Sequence, residues 1–158
     1  APDTPGFLVV TQGTAVTADA AASPLARLGD GEATYVAPDL GTTVAAADGA
    51  EAAFQRISIV AAGGIGDPFS PGAGFFDVDL LRDVLETGEA LPLPGRAATS
   101  LIIVTEGTVL LASESAGTTE ETAGSATAVA GAFTVVNAGT SSAVVLVAVI
   151  GTLIGTST

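Results

Sequence analysis

Apart from one Tyr, carboxylates are the only side chains offering acid–base chemistry in this 158-residue chain. It has no His, Cys or Lys, and 17 Asp and Glu stand against four Arg, at positions 27, 56, 82 and 96. The usual general bases and activated nucleophiles are therefore missing. Without thiols there is neither a disulfide framework nor Cys chemistry. Asp77 and Asp79 alternate along an apolar run and face one side together if that run is a strand. Paired acids can hydrolyse glycosides or bind Ca2+, but such a pair is more often a solvated face. Glu114, Glu120 and Glu121 lie in a Ser/Thr-rich stretch that reads as a solvated hairpin loop, and Asp30-Gly31-Glu32 reads as a turn. Gly63-Gly64-Ile65-Gly66 and Gly72-Ala73-Gly74 lack the third Gly, the Lys and the following helix of a phosphate cradle. With Pro68 and Pro71 they read as a linker over residues 63–74.

The elements that would position any site are strands. Apolar residues make up 48% of the chain, enough for a core, and they are mostly Ala, Val, Leu and Ile, with one Tyr, six Phe and no Trp. The apolar runs are short, β-branched and bounded by Gly, Asp, Ser or Thr. Val78–Leu85 fits one turn of helix or a strand, and the chain as a whole reads as all-β. Ala143–Gly155 is nearly all apolar but falls short of the roughly 20 residues that span a bilayer. It reads as a buried strand.

The sequence repeats. Phe7–Thr14 (FLVVTQGT) parallels Leu101–Thr108 (LIIVTEGT), and Gly31–Ala37 (GEATYVA) parallels Gly124–Ala130 (GSATAVA). Asp48-Gly49 with Ala53–Val60 (AFQRISIV) parallels Ala138-Gly139 with Ala143–Ile150 (AVVLVAVI). The offset runs 94, 93, 90, as small loop deletions would produce. Two related lobes are expected, over 1–62 and 75–158.

From Gly88 the sequence runs five residues, Pro94-Gly95-Arg96, three residues, Ser100, six residues, Gly107. This spacing resembles the first motif of the cupin barrels: Gly, five residues, His-x-His, three or four residues, Glu, six residues, Gly. Gly124, Ala130-Gly131-Ala132, Val135 and Asn137-Ala138-Gly139 resemble the second motif, with Val135 near its His position. The resemblance covers Phe75–Ile150 well and Phe7–Val60 in part. It implies two cupin-like β-barrel or jelly-roll lobes in tandem. Family members commonly hold a metal on three His and one Glu, and many are dioxygenases, isomerases, decarboxylases or sugar-binding modules. Carried over, the metal site fails at Pro94, Arg96, Ser100 and Val135, so no metal, no cofactor and no catalysis are expected. The first lobe has only six residues ahead of Phe7, where the second has Phe75–Gly95, and is expected to lack about two strands. The edge beside Phe7, Leu8, Val9 and Val10 is the expected subunit contact, with a neighbour's N-terminal segment or its Gly151–Thr158 tail as donor.

The net charge of −13 repels phosphate backbones and anionic lipid headgroups, so neither nucleic acid nor membrane insertion is expected. The chain begins Ala1-Pro2-Asp3, as a mature N-terminus left after signal-peptide removal would. The absence of Met and Cys suits a long-lived protein in a harsh setting. Thr/Ser clusters at 118–119, 140–142 and 156–158 offer hydroxyls to O-linked sugar. These features point to a secreted or cell-surface protein that self-associates, a non-catalytic structural subunit of a filament or surface layer. The alternative is a secreted module whose barrel mouth, around Arg96 and Ser100, holds a small sugar-like molecule.

Overall fold

A computed structural model of the chain describes residues 4–38, 40–60, 75–96, 99–114 and 117–155. The chain divides into two compact units, Ala1–Gly64 and Ile65–Thr158. The Gly/Pro-rich stretch read as a linker lies outside the described residues. Every strand pair among the described residues is antiparallel.

Among the described residues the first unit has six strands: β1 (Gly6–Gln12), β2 (Ala15–Ala18), β3 (Pro24–Leu28), β4 (Ala33–Val36), β5 (Thr43–Ala46) and β6 (Ala53–Ser58). A single 3-10 turn, Ala47–Gly49, separates the last two. They form two three-stranded sheets, in the orders β4-β1-β6 and β3-β2-β5. The second unit has eight strands among the described residues. They are β7 (Phe75–Leu85), β8 (Ala90–Leu93), β9 (Ser100–Glu106), β10 (Thr108–Ser113), β11 (Gly117–Thr122), β12 (Ala126–Val129), β13 (Phe133–Asn137) and β14 (Ala143–Gly155). They form two four-stranded sheets, ordered β12-β9-β14-β7 and β11-β10-β13-β8. The first unit thus repeats the second strand for strand, without counterparts of β7 and β8 among the described residues.

The correspondence reaches single residues. β1 and β9 show the same alternation of burial, position by position. Gly13 and Gly107 end these strands with the same φ of 79°, a backbone conformation that costs a residue with a Cβ. Gly31 N donates to Val10 O, and Gly124 N to Val104 O, both at 2.8 Å. The third repeat block is one residue out of place in the sequence alignment. Phe7 pairs with Ile57 and Leu101 with Ala148, which makes that offset 91 instead of 90.

Burial explains that slip. Val145, Val147 and Val149 point into the core of the second unit with Leu85, Ile102, Val104, Val109, Val135 and Phe133. Val144 and Leu146, on the opposite face of the same strand, are also buried. A strand dry on both faces shows no alternation by which register could be set. The smaller core of the first unit gathers Leu8, Val10, Ala15, Leu28 and Val36.

Val78–Leu85 is strand throughout, part of β7. Glu120 and Glu121 are also on a strand, β11, not in a loop, because Leu110 and Val109 of β10 pair with them. Among the described residues no helix is long and apolar enough to cross a membrane.

Candidate functional site

The barrel-motif positions hold side chains that do not make a metal cage. Gly88 (φ 77°) and Gly107 (φ 79°) remain as turn formers. Pro94 and Arg96 follow β8 and are exposed. Ser100 opens β9 opposite Val129 and is 4% exposed. Val135, in the middle of β13 between Leu111 and Leu91, is fully buried among core hydrocarbons. Pro94 and Val135 offer no donor atom, Arg96 is a permanent cation, and Ser100 is a single neutral hydroxyl. This set does not fit a transition metal. Among the described residues no group of three or more His, Cys, Asp or Glu stands close enough to hold one.

The remaining acids are dispersed. Asp79 lies opposite Val149 on the outermost strand of its sheet. Asp77 packs against Gly151, with one carboxylate oxygen buried and unpartnered among the described residues. Glu121 Oε1 accepts a hydrogen bond from Thr127 Oγ1 at 2.8 Å, and Glu114 is exposed. Of the hydroxyl clusters, Thr118, Thr119, Thr140, Ser141 and Ser142 are exposed, while 156–158 fall outside the described residues.

The residue that sequence reasoning undervalued is Asn137, 2% exposed at the end of β13. Its Nδ2 donates to Leu85 O and to Ser141 O, and its Oδ1 accepts from Gly139 N, each at 2.8 Å. Its backbone N donates to Glu89 O, and its carbonyl accepts from Gly88 N. One amide thus ties the end of β7 and the β7–β8 turn to the β13–β14 loop. The usable signal was a lone Asn among buried apolar strands, where a polar side chain persists only with its bonds satisfied.

What sets the first unit apart is its edges. Phe7, Leu8, Val9 and Val10, the expected subunit contact, are not at an edge. They lie on the central strand β1, paired with β4 on one side and β6 on the other. Their backbone hydrogen-bonding groups are committed within the sheet. The open edges are the far sides of β6 and β5, where the second unit has β7 and β8. Among the described residues no strand pairs there.

Side chains record the consequence. Phe54 pairs with Val10 and shares its core-facing side, yet it is 48% exposed, whereas Val145, at the matching place on β14, is fully buried. Val44 on β5 is half-buried, whereas its counterpart Val135 is fully buried. In the second unit, Leu85 of β7 and Leu91 and Leu93 of β8 close the core.

Solved structures share this architecture. A conserved protein of unknown function from Pseudomonas aeruginosa aligns over 94% of this chain and 70% of its own, with a TM-score of 0.66 and 14% identity. A cupin 2 conserved barrel domain protein from Leptotrichia buccalis aligns over 93% and 74%, with a TM-score of 0.53 and 11% identity. The fold is cupin-like. An oxalate decarboxylase from Bacillus subtilis also aligns, over 94% of this chain and 63% of its own, with a TM-score of 0.63 and 11% identity. Cupin-like neighbours therefore include an enzyme as well as a protein of unknown function, and identities this low speak to the fold alone. No protein-family model matches the sequence, and no curated protein does.

Proposed function

We propose that the protein is a non-catalytic structural subunit of an extracellular assembly, a filament or surface layer, and that it self-associates through the open edges of its first unit. The reading rests on one observation above all: Phe54 faces the core side of a sheet and is half in water, where the matching Val145 is fully dry. An aromatic side chain on a core face gains about 1.5–3 kcal/mol from full burial. An unpaired strand edge beside it offers backbone donors and acceptors to an incoming strand. A second copy of the chain can supply both.

The donor is not a free C-terminal tail up to Gly155. Gly151–Gly155 continues β14, and Leu153 and Gly155 pair with Phe76 and Phe75 of the same chain. Sedimentation velocity and negative-stain electron microscopy of the purified protein test the proposal. Polymers or regular oligomers are expected. A monodisperse monomer at all protein and salt concentrations would overturn it.

A further inference from the structure

We infer that the strand completing the first unit is β7 of a second copy, laid antiparallel along the edge of β6 at which no strand pairs among the described residues. This rests on the self-assembly reading above and names its two surfaces.

Position favours it first. β6 holds the place in its sheet that β14 holds in the other unit, and β14 is the strand β7 already covers, from Ala143 opposite Leu85 to Ile150 opposite Val78. β7 is thus long enough for such a neighbour, which it would meet through the edge opposite to the one that β14 occupies. At 11 residues it is longer than the six of β6, and among the described residues its other edge is unpaired.

Exposed apolar surface marks the same two strands. Eight large hydrophobic side chains stand exposed among the described residues: Leu25, Tyr35, Leu40, Phe54, Ile59, Val60, Leu81 and Val84. Five of them lie on or directly after β6 and β7. Edge strands meant to remain open usually carry charge, as β7 does, whereas β6 carries Arg56 alone.

Charge then separates the possible pairings. In a chain of net charge −13, β5 and β6 hold no acid, and β6 carries Arg56, whereas β7 carries Asp77, Asp79 and Asp83 with Arg82. Pairing β7 with β7 sets carboxylates against carboxylates, and pairing β6 with β6 brings two Arg56 cations together. Like charges facing across strands destabilise the pair and opposite charges favour it. Pairing β6 with β7 opposes unlike charge where the face of Asp79, Leu81 and Asp83 meets the face of Phe54 and Arg56, which neither self-pairing does. It joins two different surfaces on each copy, so it extends head to tail into an open filament unless the rotation between copies happens to close a ring.

The chain has no Cys, so introduced thiols report cleanly. Phe54→Cys protein is mixed in equal amounts with Leu81→Cys or Val84→Cys protein of a different tagged mass, oxidised during assembly, and resolved without reductant. Positions 81 and 84 differ in parity and lie on opposite faces of β7. One of them therefore shares the face of Phe54 whichever way up the strand docks. One of the two mixtures is expected to give mixed dimers about tenfold in excess of either homodimer, equivalent to about 1.4 kcal/mol of preference. A chain carrying both thiols is expected to give a ladder of oligomers. A predominance of Phe54→Cys homodimers would overturn the inference in favour of β6 pairing with itself. Polymers by sedimentation with no mixed dimer in either mixture would overturn it and leave self-assembly standing. A monomer under all conditions would remove both.

Discussion

At the residue scale, turn glycines and the buried amide of Asn137 fix how the strands connect. A Cβ at Gly107 would lie 2.9 Å from Ala143 Cα, and one at Gly13 would lie 2.5 Å from Glu51 O, both at a φ of 79°. Gly107→Ala and Gly13→Ala are therefore expected to cost about 1–3 kcal/mol each from backbone strain, before any clash is relieved. Urea denaturation midpoints measure this. Asn137→Asp keeps size and shape but exchanges the donating amide for an anion facing Leu85 O and Ser141 O. A loss of about 1–3 kcal/mol is expected for each carbonyl left without its donor. Substitution of Arg27 should matter little, because its 2.8 Å ion pair with Asp48 lies in water. The same residues bear on chemistry. With Pro94, Arg96, Ser100 and Val135 at the motif positions, elemental analysis is expected to find no stoichiometric Zn, Fe, Mn, Ni or Cu.

At the scale of elements, the all-β class, the cupin-like frame and the tandem relation were legible, because turn-forming Gly and β-branched runs leave their mark in local sequence. Register in the third block was not, since β14 is apolar on both faces and a slip of one residue changes no pattern. The open edge was displaced for a related reason. Missing strands could be counted from the sequence, but which strand they leave bare depends on sheet order, and sheet order is a non-local property. Phe7–Val10 looked like the edge because it comes first in the chain, whereas first in sequence proved central in space. The motif positions could be read off the sequence, while the buried position of Val135 emerged only from its pairing with Leu111 and Leu91. Edge chemistry gives a prediction at this scale. Phe54→Asp on β6 and Leu81→Lys on β7 each place a charge on an exposed apolar edge position. Each is expected to abolish assembly while leaving the fold stable to within about 1 kcal/mol, since a half-exposed side chain forfeits only part of the 1.5–3 kcal/mol of full burial. Sedimentation reads the first effect and urea denaturation the second.

At the scale of the whole molecule, association must overcome the repulsion of copies carrying −13 each. Ion pairs can help choose which edges meet but supply little of the attraction, because each chain has only four Arg and no Lys, and Arg27 is already paired with Asp48. The attraction must come from backbone hydrogen bonds and buried Phe, Leu, Ile and Val, which salt does not screen. Repulsion between exposed charges is screened, over about 30 Å at 0.01 M salt and about 8 Å at 0.15 M. Assembly is therefore expected to strengthen from low to moderate NaCl and to level off once the screening length falls well below the size of the subunit. Sulfate should drive it further by strengthening apolar burial. A contact built on ion pairs would behave oppositely, loosening steadily as NaCl rises. A sedimentation series in NaCl and then in ammonium sulfate separates the two. Polymers that dissociate on adding NaCl would show that charge holds the subunits together and that the open apolar edge of β6 does not.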